Sequence, residues 1–214
     1  MSTLQSRIDA TAGIYGQRHP GRRLSEREFD AWVGEQTRAE WVNGDVVMMA
    51  PANLDHDDVV WWVRSLITLF ALRRGAGSVH GPEVLVRLKR VRRKRLPDVA
   101  FVAAARSLLL KENEIDGAPD LIVEVVSADS IERDWFEKFD DYERAGVREY
   151  WIVDRLADRV ECFKLTPGGT YRATRPRDGR LASSVLRGFY VRREWLLESK
   201  LPDLLAAVSE LTTR

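Results

Sequence analysis

The chain has 214 residues, of which 44% are hydrophobic and 31% are charged, so it is long enough for one domain with a substantial core and has an ordinary globular composition. Its formal net charge of +1 gives no overall attraction to nucleic acid, so any such attraction must be local. The single cysteine, Cys162, excludes a disulfide within the chain, and no segment approaches the roughly 20 apolar residues of a membrane span, so we expect a cytoplasmic protein.

The N-terminal region divides into a tail and the start of a folded domain. Residues 1–23 mix Gly, Arg, Ser and Thr without a sustained hydrophobic period, which predicts a disordered tail. Ser25 and Glu28 then have the spacing of a capping box, which predicts the start of a short helix. No linker or internal repeat follows, so we expect a single domain over residues 24–214.

A hairpin and a long helix are predicted next. Asn43-Gly44 joins two short apolar runs, which is a strong signal for a β-hairpin. The spacing of apolar residues over 54–74 predicts a helix, with aspartates in the first turn and arginines in the last, as the helix dipole favours. Trp61 and Trp62 cannot both lie on its apolar stripe. Together with Trp195 they add a large apolar surface, and we therefore expect a homodimer.

A dense basic run precedes Asp98. The part nearest to it consists of Arg92, Arg93, Lys94 and Arg95. One interpretation is the solvated tip of a hairpin, which is the usual fate of a charge run. The other is a patch that binds DNA phosphates, since basic clusters attract DNA regardless of its sequence. The pattern favours neither interpretation over the other.

Two short apolar runs then carry one carboxylate each. Residues 96–102 have Asp98 near the start, and residues 120–126 have Glu124 in the middle. Both runs are rich in β-branched residues and follow Pro or Gly, so they are predicted strands. The second run has apolar residues on both faces, which is typical of a central strand covered on both sides. Burying Glu124 there is costly unless a cation, a metal or several hydrogen-bond donors accompany it.

We interpret Asp98 and Glu124 as a site for a divalent metal ion. Carboxylates from adjacent strands can hold Mg²⁺ or Mn²⁺, and such an ion can activate a water for attack on a phosphodiester. A nearby lysine would add positive charge beside the phosphate. The nearest downstream lysine is Lys138, in a predicted helix over 130–145, where it lies four residues after Asp134. From spacing alone, Lys138 could equally be only the surface ion-pair partner of Asp134.

The remaining chain continues to alternate between strands and helices. Core strands are predicted at 150–154 and 160–165, and a further strand at 185–191. A short helix follows at 193–198, and Pro202 is predicted to begin a terminal helix at its first position. The whole pattern predicts an α/β domain with a mixed central sheet.

The ordered combination of these segments resembles the PD-(D/E)XK nuclease superfamily and, more narrowly, the bacterial Uma-two family of predicted restriction endonucleases. The matching segments are the hairpin at 40–47, the strand at 97–102 with its Pro97-Asp98 pair, the run at 117–127 through Glu124, and the stretches 137–142 and 145–154. The resemblance covers about residues 25 to 200. It implies a restriction-endonuclease-like fold, in which a mixed central β-sheet is flanked by helices.

The resemblance also implies a Mg²⁺-dependent endonuclease that hydrolyses DNA phosphodiester bonds. Asp98 and Glu124 would hold the metal, with Val125 as a further ligand. In this family the catalytic lysine is thought to have moved to the following helix. That view fits Lys138 and accounts for Val126, which stands where the superfamily pattern has its lysine.

Two further residues match positions that lie near the metal in the family. Glu40 matches an early glutamate that reaches the site, although it could instead be a solvated strand residue. His56 matches a histidine that is often present there, although a lone histidine is more often incidental. A protein with the nuclease fold that binds nucleic acid or a protein partner without cutting remains the alternative function, because function depends on the site and not on the fold.

Overall fold

The computed structural model describes residues 20–34, 37–128 and 130–213. Most of the predicted tail, residues 1–19, lies outside the described residues. The described helices are α1 Glu26–Trp32, α2 Leu54–Arg74, α3 Lys138–Ala145, α4 Arg193–Leu197 and α5 Leu204–Thr212. The described strands are β1 Ala39–Val42, β2 Asp45–Met48, β3 Gly77–His80, β4 Leu85–Leu88, β5 Arg93–Arg95, β6 Val99–Ala103, β7 Glu114–Ile115, β8 Leu121–Val125, β9 Glu149–Asp154, β10 Arg159–Leu165, β11 Tyr171–Ala173, β12 Arg180–Ala182 and β13 Tyr190–Arg192.

Three sheets of mixed strand orientation form the framework. The six-stranded sheet has the order β11-β10-β9-β8-β6-β3, in which β8 and β9 are parallel and the other neighbours are antiparallel. The five-stranded sheet has the order β2-β1-β5-β4-β7, and β12 pairs with β13. The mixed α/β fold with flanking helices confirms the sequence prediction, although the strands divide among three sheets.

Strand β8 is covered on both faces, as its sequence predicts. All five of its residues are buried, which is typical of a strand in the interior of a sheet. Val123 belongs to an apolar cluster that contains the buried side of α2. Ile122 and Val126 belong to a second cluster with Tyr142 of α3. Because side chains alternate along a strand, Glu124 lies on the α3 side of the sheet.

Helix α2 has the predicted bounds, and local signals explain both of its ends. The Asn53 side chain accepts a hydrogen bond of 2.9 Å from the His56 amide, which caps the N-terminus. At the other end Gly75 has a φ of 58°, a left-handed conformation that glycine adopts without a Cβ penalty. The N-terminal cap fixes the first turn and therefore the backbone of His56.

Two other local predictions are confirmed. Ser25 and Glu28 form a complete capping box at α1. Asn43 and Gly44 connect β1 to β2 with φ angles of 50° and 108°, as a tight hairpin turn requires.

The predicted helix over 130–145 is not a uniform α-helix. Residues Arg133–Glu137 form a π-turn, and the Lys138 amide donates its hydrogen bond to the Arg133 carbonyl five residues earlier. Such turns are frequent at functional sites. Asp134 lies within this turn and Lys138 directly follows it, and both residues are buried.

The predicted strand over 185–191 is wrong for most of its length, because only its last two residues belong to β13. The buried Glu149 carboxylate accepts hydrogen bonds from the amides of Ser184 and Val185 at 2.7 and 3.2 Å. These amides therefore do not enter a sheet ladder. The terminal helix also begins two residues later than predicted, since its first residue is Leu204 and not Pro202, and Asp203 is the N-cap.

The adjacent tryptophans of α2 have different surroundings. Trp62 is buried, donates from Nε1 to the Pro202 carbonyl at 2.9 Å, and packs edge-on against Trp195. Trp61 is 60% exposed. Within the described ranges, no helix is both long and apolar enough to cross a membrane.

Candidate active site

Asp98 and Glu124 meet where strands β6 and β8 lie side by side. The antiparallel register pairs Val99 with Val123, so Asp98 and Glu124 form the next pair outward. The Val125 amide donates to Asp98 Oδ2 at 2.8 Å, and the Asp98 amide donates to Glu124 Oε2 at 3.4 Å. Each carboxylate is therefore tied to the backbone of the other strand. These are the two residues that the sequence predicts as metal ligands.

The Glu124 carboxylate is buried and has a partner on each oxygen. Tyr142 donates its hydroxyl to Oε1 at 2.7 Å, and the Lys138 ammonium lies 2.9 Å from Oε2. Burial, with the charges of Asp98 and Asp134, raises the pKa of Glu124 to about 8, although Lys138 opposes the shift. Burial of the carboxyl group is the largest cause of this rise.

The Lys138 ammonium is surrounded by carboxylates. Besides Glu124, it lies 3.3 Å from Asp134 Oδ1 and 3.8 Å from Glu40 Oε1. Burial alone would lower the pKa of Lys138, but the carboxylates outweigh it and raise the pKa above its usual range. Lys138 therefore stays charged. The interpretation of Lys138 as a surface residue is wrong, because its side chain is only 3% exposed.

His56 reaches the same site from the first turn of α2. Its Nε2 lies 3.3 Å from Asp98 Oδ2. Its Nδ1 is buried and has no hydrogen-bond partner among the described residues. The histidine is therefore not incidental to the site, since it contacts one of the predicted metal ligands directly.

Glu40 is not a solvated strand residue but part of a buried ion-pair network. Its Oε2 accepts a hydrogen bond from Arg95 at 2.7 Å, and its Oε1 accepts one from the Leu96 amide at 3.0 Å. Arg95 also donates to Asp141 at 2.6 Å. Burial would raise the pKa of Glu40, but Lys138 and Arg95 lower it. Glu40 thus anchors the backbone two residues before Asp98.

Among the charged groups of this site, the carboxylates outnumber the cations, even when His56 is protonated. The carboxylates are Glu40, Asp98, Glu124, Asp134 and Asp141, and the cations are Arg93, Arg95 and Lys138. Buried charges in proteins are normally paired or bind metals. The excess here can be relieved by a proton on Glu124 or by a bound cation.

The oxygen ligands available at this site suit a metal ion that keeps part of its water shell. In the part of the chain that the structure describes, no group of three or more His, Cys, Asp or Glu side chains is arranged to hold a metal ion. Mg²⁺ is usually bound through one or two carboxylates, with waters and substrate phosphates as the other ligands. Asp98 and Glu124 fit such an ion. Val125 could contribute only its backbone carbonyl.

Comparison with known proteins identifies the family of the chain. Residues 27–194 match the Uma2 family, described as "Putative restriction endonuclease". The chain belongs to the Uma2 family. Its fold is similar to a crystal structure of a "putative nuclease belonging to DUF820" from Anabaena variabilis ATCC 29413, with a TM-score of 0.67, 14% identity, and coverage of 86% of this chain and 99% of that chain. At this identity the likeness concerns the fold. None of the curated proteins matches the chain.

The basic run of this Uma2 protein requires a correction. Lys94 is buried between Asp30 and Glu114, at 2.5 and 2.6 Å, and Arg95 is buried in the network with Glu40. Neither side chain is available to a DNA phosphate, and neither belongs to a solvated hairpin tip. Arg93 is half-buried and lies 3.2 Å from Asp141. Of the four predicted phosphate contacts, only Arg92 is exposed.

Sequence reasoning missed several groups of the Uma2 site. Asp134 was interpreted as a surface acid but is buried, and neither Arg95 nor Asp141 was assigned to the site. A signal existed for Asp134 and Tyr142, which share a helical face with Lys138. None existed for Arg95, because its partner Glu40 is 55 residues away in the sequence.

Proposed function

We propose that this protein is a divalent-metal-dependent endonuclease that hydrolyses DNA phosphodiester bonds. Asp98 and Glu124 would hold Mg²⁺ or Mn²⁺, with the Val125 carbonyl as a further ligand. The main support is the meeting of these two carboxylates beside the Lys138 ammonium, in a buried site with excess negative charge. Membership of a family described as "Putative restriction endonuclease" supports DNA as the substrate.

When bound, the ion would polarise the phosphate and lower the pKa of a water for attack on phosphorus. The protein groups have distinct tasks around it. Tyr142 holds Oε1 of Glu124, and the Val125 amide holds Oδ2 of Asp98. Both carboxylates are thereby held in fixed positions before substrate arrives, which is how protein sites lower the cost of ordering ligands.

Lys138 would stabilise the negative charge that develops on the phosphate during attack. An ammonium is a compact charge, and in a site with little water its effect on the transition state is large. Glu40 and the Arg95 network support Lys138 and the backbone before Asp98. We assign them a supporting role and not a ligand role, because Glu40 forms a buried ion pair with Arg95.

A cleavage assay separates this function from that of a protein that binds DNA without cutting it. We expect purified protein to cut plasmid DNA in Mg²⁺ or Mn²⁺ and not in EDTA. Lys138→Met should lower the single-turnover rate by roughly a hundredfold or more while changing DNA affinity little, since it acts on charge that develops during the reaction. DNA binding with no cleavage in any divalent metal would support the alternative. Cleavage by Lys138→Met at the wild-type rate would show that the lysine assignment is wrong.

A further inference from the structure

A divalent cation cannot bind Glu124 while its carboxylate keeps all of its present contacts. Oε1 accepts the Tyr142 hydroxyl, and Oε2 lies 2.9 Å from the Lys138 ammonium. A divalent cation on Oε2 would lie close to that ammonium. Two positive charges a few ångströms apart repel each other strongly in a site with little water. The ammonium must therefore move its main contact to another carboxylate.

Two other carboxylates lie near Lys138, but they differ in what they can still accept. Glu40 Oε1, at 3.8 Å, already accepts the Leu96 amide, and Glu40 Oε2 accepts Arg95. Asp134 Oδ1 lies 3.3 Å from the ammonium and is buried, and it accepts no hydrogen bond from any described residue. A buried oxygen that accepts no hydrogen bond is rare, because the missing bond costs free energy. Asp134 Oδ1 can therefore still accept a hydrogen bond from the Lys138 ammonium.

The backbone keeps Asp134 in reach of the lysine. Asp134 lies within the π-turn that directly precedes Lys138, and the Asp134 carbonyl accepts a hydrogen bond of 2.8 Å from the buried Tyr150 hydroxyl. Tyr150 packs against Tyr142, the residue that holds Glu124, with ring centroids 5.1 Å apart. A short movement of the Lys138 side chain is sufficient to change its partner, without movement of the helix.

We propose that Asp134 is a positioning residue, which receives the Lys138 ammonium when a divalent cation binds Glu124. The inference rests on the proposed function, because it presumes that the cation binds at Asp98 and Glu124. Asp134 does not touch the ion in this scheme. It acts only through Lys138, by holding the ammonium beside the site and away from Oε2.

A double-mutant cycle on metal affinity tests this role without any activity measurement. Mn²⁺ binding is measured by calorimetry for wild type, Asp134→Asn, Lys138→Met and the double variant, after their melting temperatures confirm that they fold. We expect Asp134→Asn to weaken Mn²⁺ binding roughly tenfold in the wild-type background and less than about threefold in the Lys138→Met background. Lys138→Met alone should bind Mn²⁺ more tightly than wild type does. Asp98→Asn controls for binding elsewhere.

The outcomes separate this inference from the proposed function. An equal loss in both backgrounds means that Asp134 acts directly on the ion, as a ligand or by its charge, and overturns the inference while leaving the metal site intact. If wild type binds no Mn²⁺, or binds it as well with Asp98→Asn, the metal site and the inference both fail. If Asp134→Asn does not fold, Asp134→Ser replaces it. If neither folds, Lys138→Met decides, and affinity no tighter than that of wild type overturns the inference.

Discussion

His56 Nε2 lies 3.3 Å from Asp98 Oδ2, which joins the first turn of α2 to the junction of β6 and β8. The contact links a residue fixed by the Asn53 cap to a predicted metal ligand. Burial lowers the pKa of His56, but the hydrogen bond and charge of Asp98 outweigh it and raise the pKa above 6.5. His56 thus favours its charged form beside a carboxylate.

Removing the charge of Asp98 should lower the pKa of His56. We expect Asp98→Asn to move the His56 titration to lower pH in NMR spectra of metal-free protein. His80 is an internal control, since burial and Arg64, and not Asp98, lower its pKa. Because the folded-state pKa of His56 is raised, its contact stabilises the fold at acid pH and loses that effect as pH rises through the folded-state pKa. An unchanged His56 titration in the variant would contradict the contact.

Arg95 should be needed for stability and not for DNA binding. Arg95→Met removes the closest cation from the buried carboxylates of Glu40 and Asp141, and breaking a buried ion pair typically costs about 3–5 kcal/mol. Arg95→Lys should recover only part of this, because a lysine cannot make the same set of directed hydrogen bonds. The exposed Arg92→Met is the control, with an expected change within about 0.5 kcal/mol. Urea unfolding measures all three, and equal stabilities for Arg95→Met and wild type would refute the network.

Arg92 is the member of the basic run that can still contact DNA. If it binds a phosphate, Arg92→Gln should weaken DNA binding and lower the slope of log K against log salt by about 0.9. Arg175→Gln, another exposed arginine, controls for the general effect of net charge. An unchanged slope for Arg92→Gln would mean that DNA, if bound, approaches from another side.

Trp61 is the tryptophan available to a partner. Trp62 and Trp195 pack against each other, so the homodimer expected from the sequence depends on the 60% exposed Trp61. We expect a dimer by sedimentation at tens of micromolar and a shift to monomer for Trp61→Ala. Leu108→Ala, at a residue 85% exposed, should have no such effect. A monomeric wild type would rule out this dimer.

Local signals predicted those elements whose hydrogen bonds stay within a short segment. Helix α2 has the predicted ends because Asn53 and Gly75 cap it through nearby backbone groups. The hairpin follows from Asn43-Gly44 in the same way. The strand predicted at 185–191 failed at its start, where the Val185 amide binds Glu149, more than thirty residues away in the sequence. No pattern within a short segment contains that information.

The residues of the candidate site also fall into those that a local sequence pattern indicates and those that it does not. Asp98 and Glu124 were identified because a carboxylate in a buried apolar run needs an explanation, and Lys138 because it is the nearest lysine on the next helix. The burial of Lys94 and Arg95 could not be predicted, since a charge run has the same appearance whether its partners are water or distant carboxylates. The π-turn before Lys138 also has no signal in the helical pattern.

The proposed metal site is tested most directly by the single-turnover rate of DNA cleavage by Asp98→Asn and Glu124→Gln in saturating Mg²⁺. Both replacements keep the shape of the side chain and remove its charge, so folding should be preserved while the ion is lost. Asp140→Asn, an exposed carboxylate on the same helix as Lys138, is the matched control. We expect both site variants to be slower than wild type by at least about a hundredfold, and Asp140→Asn to be unchanged. Cleavage at the wild-type rate by either site variant, with contaminating nuclease excluded, would contradict the assignment of the metal site.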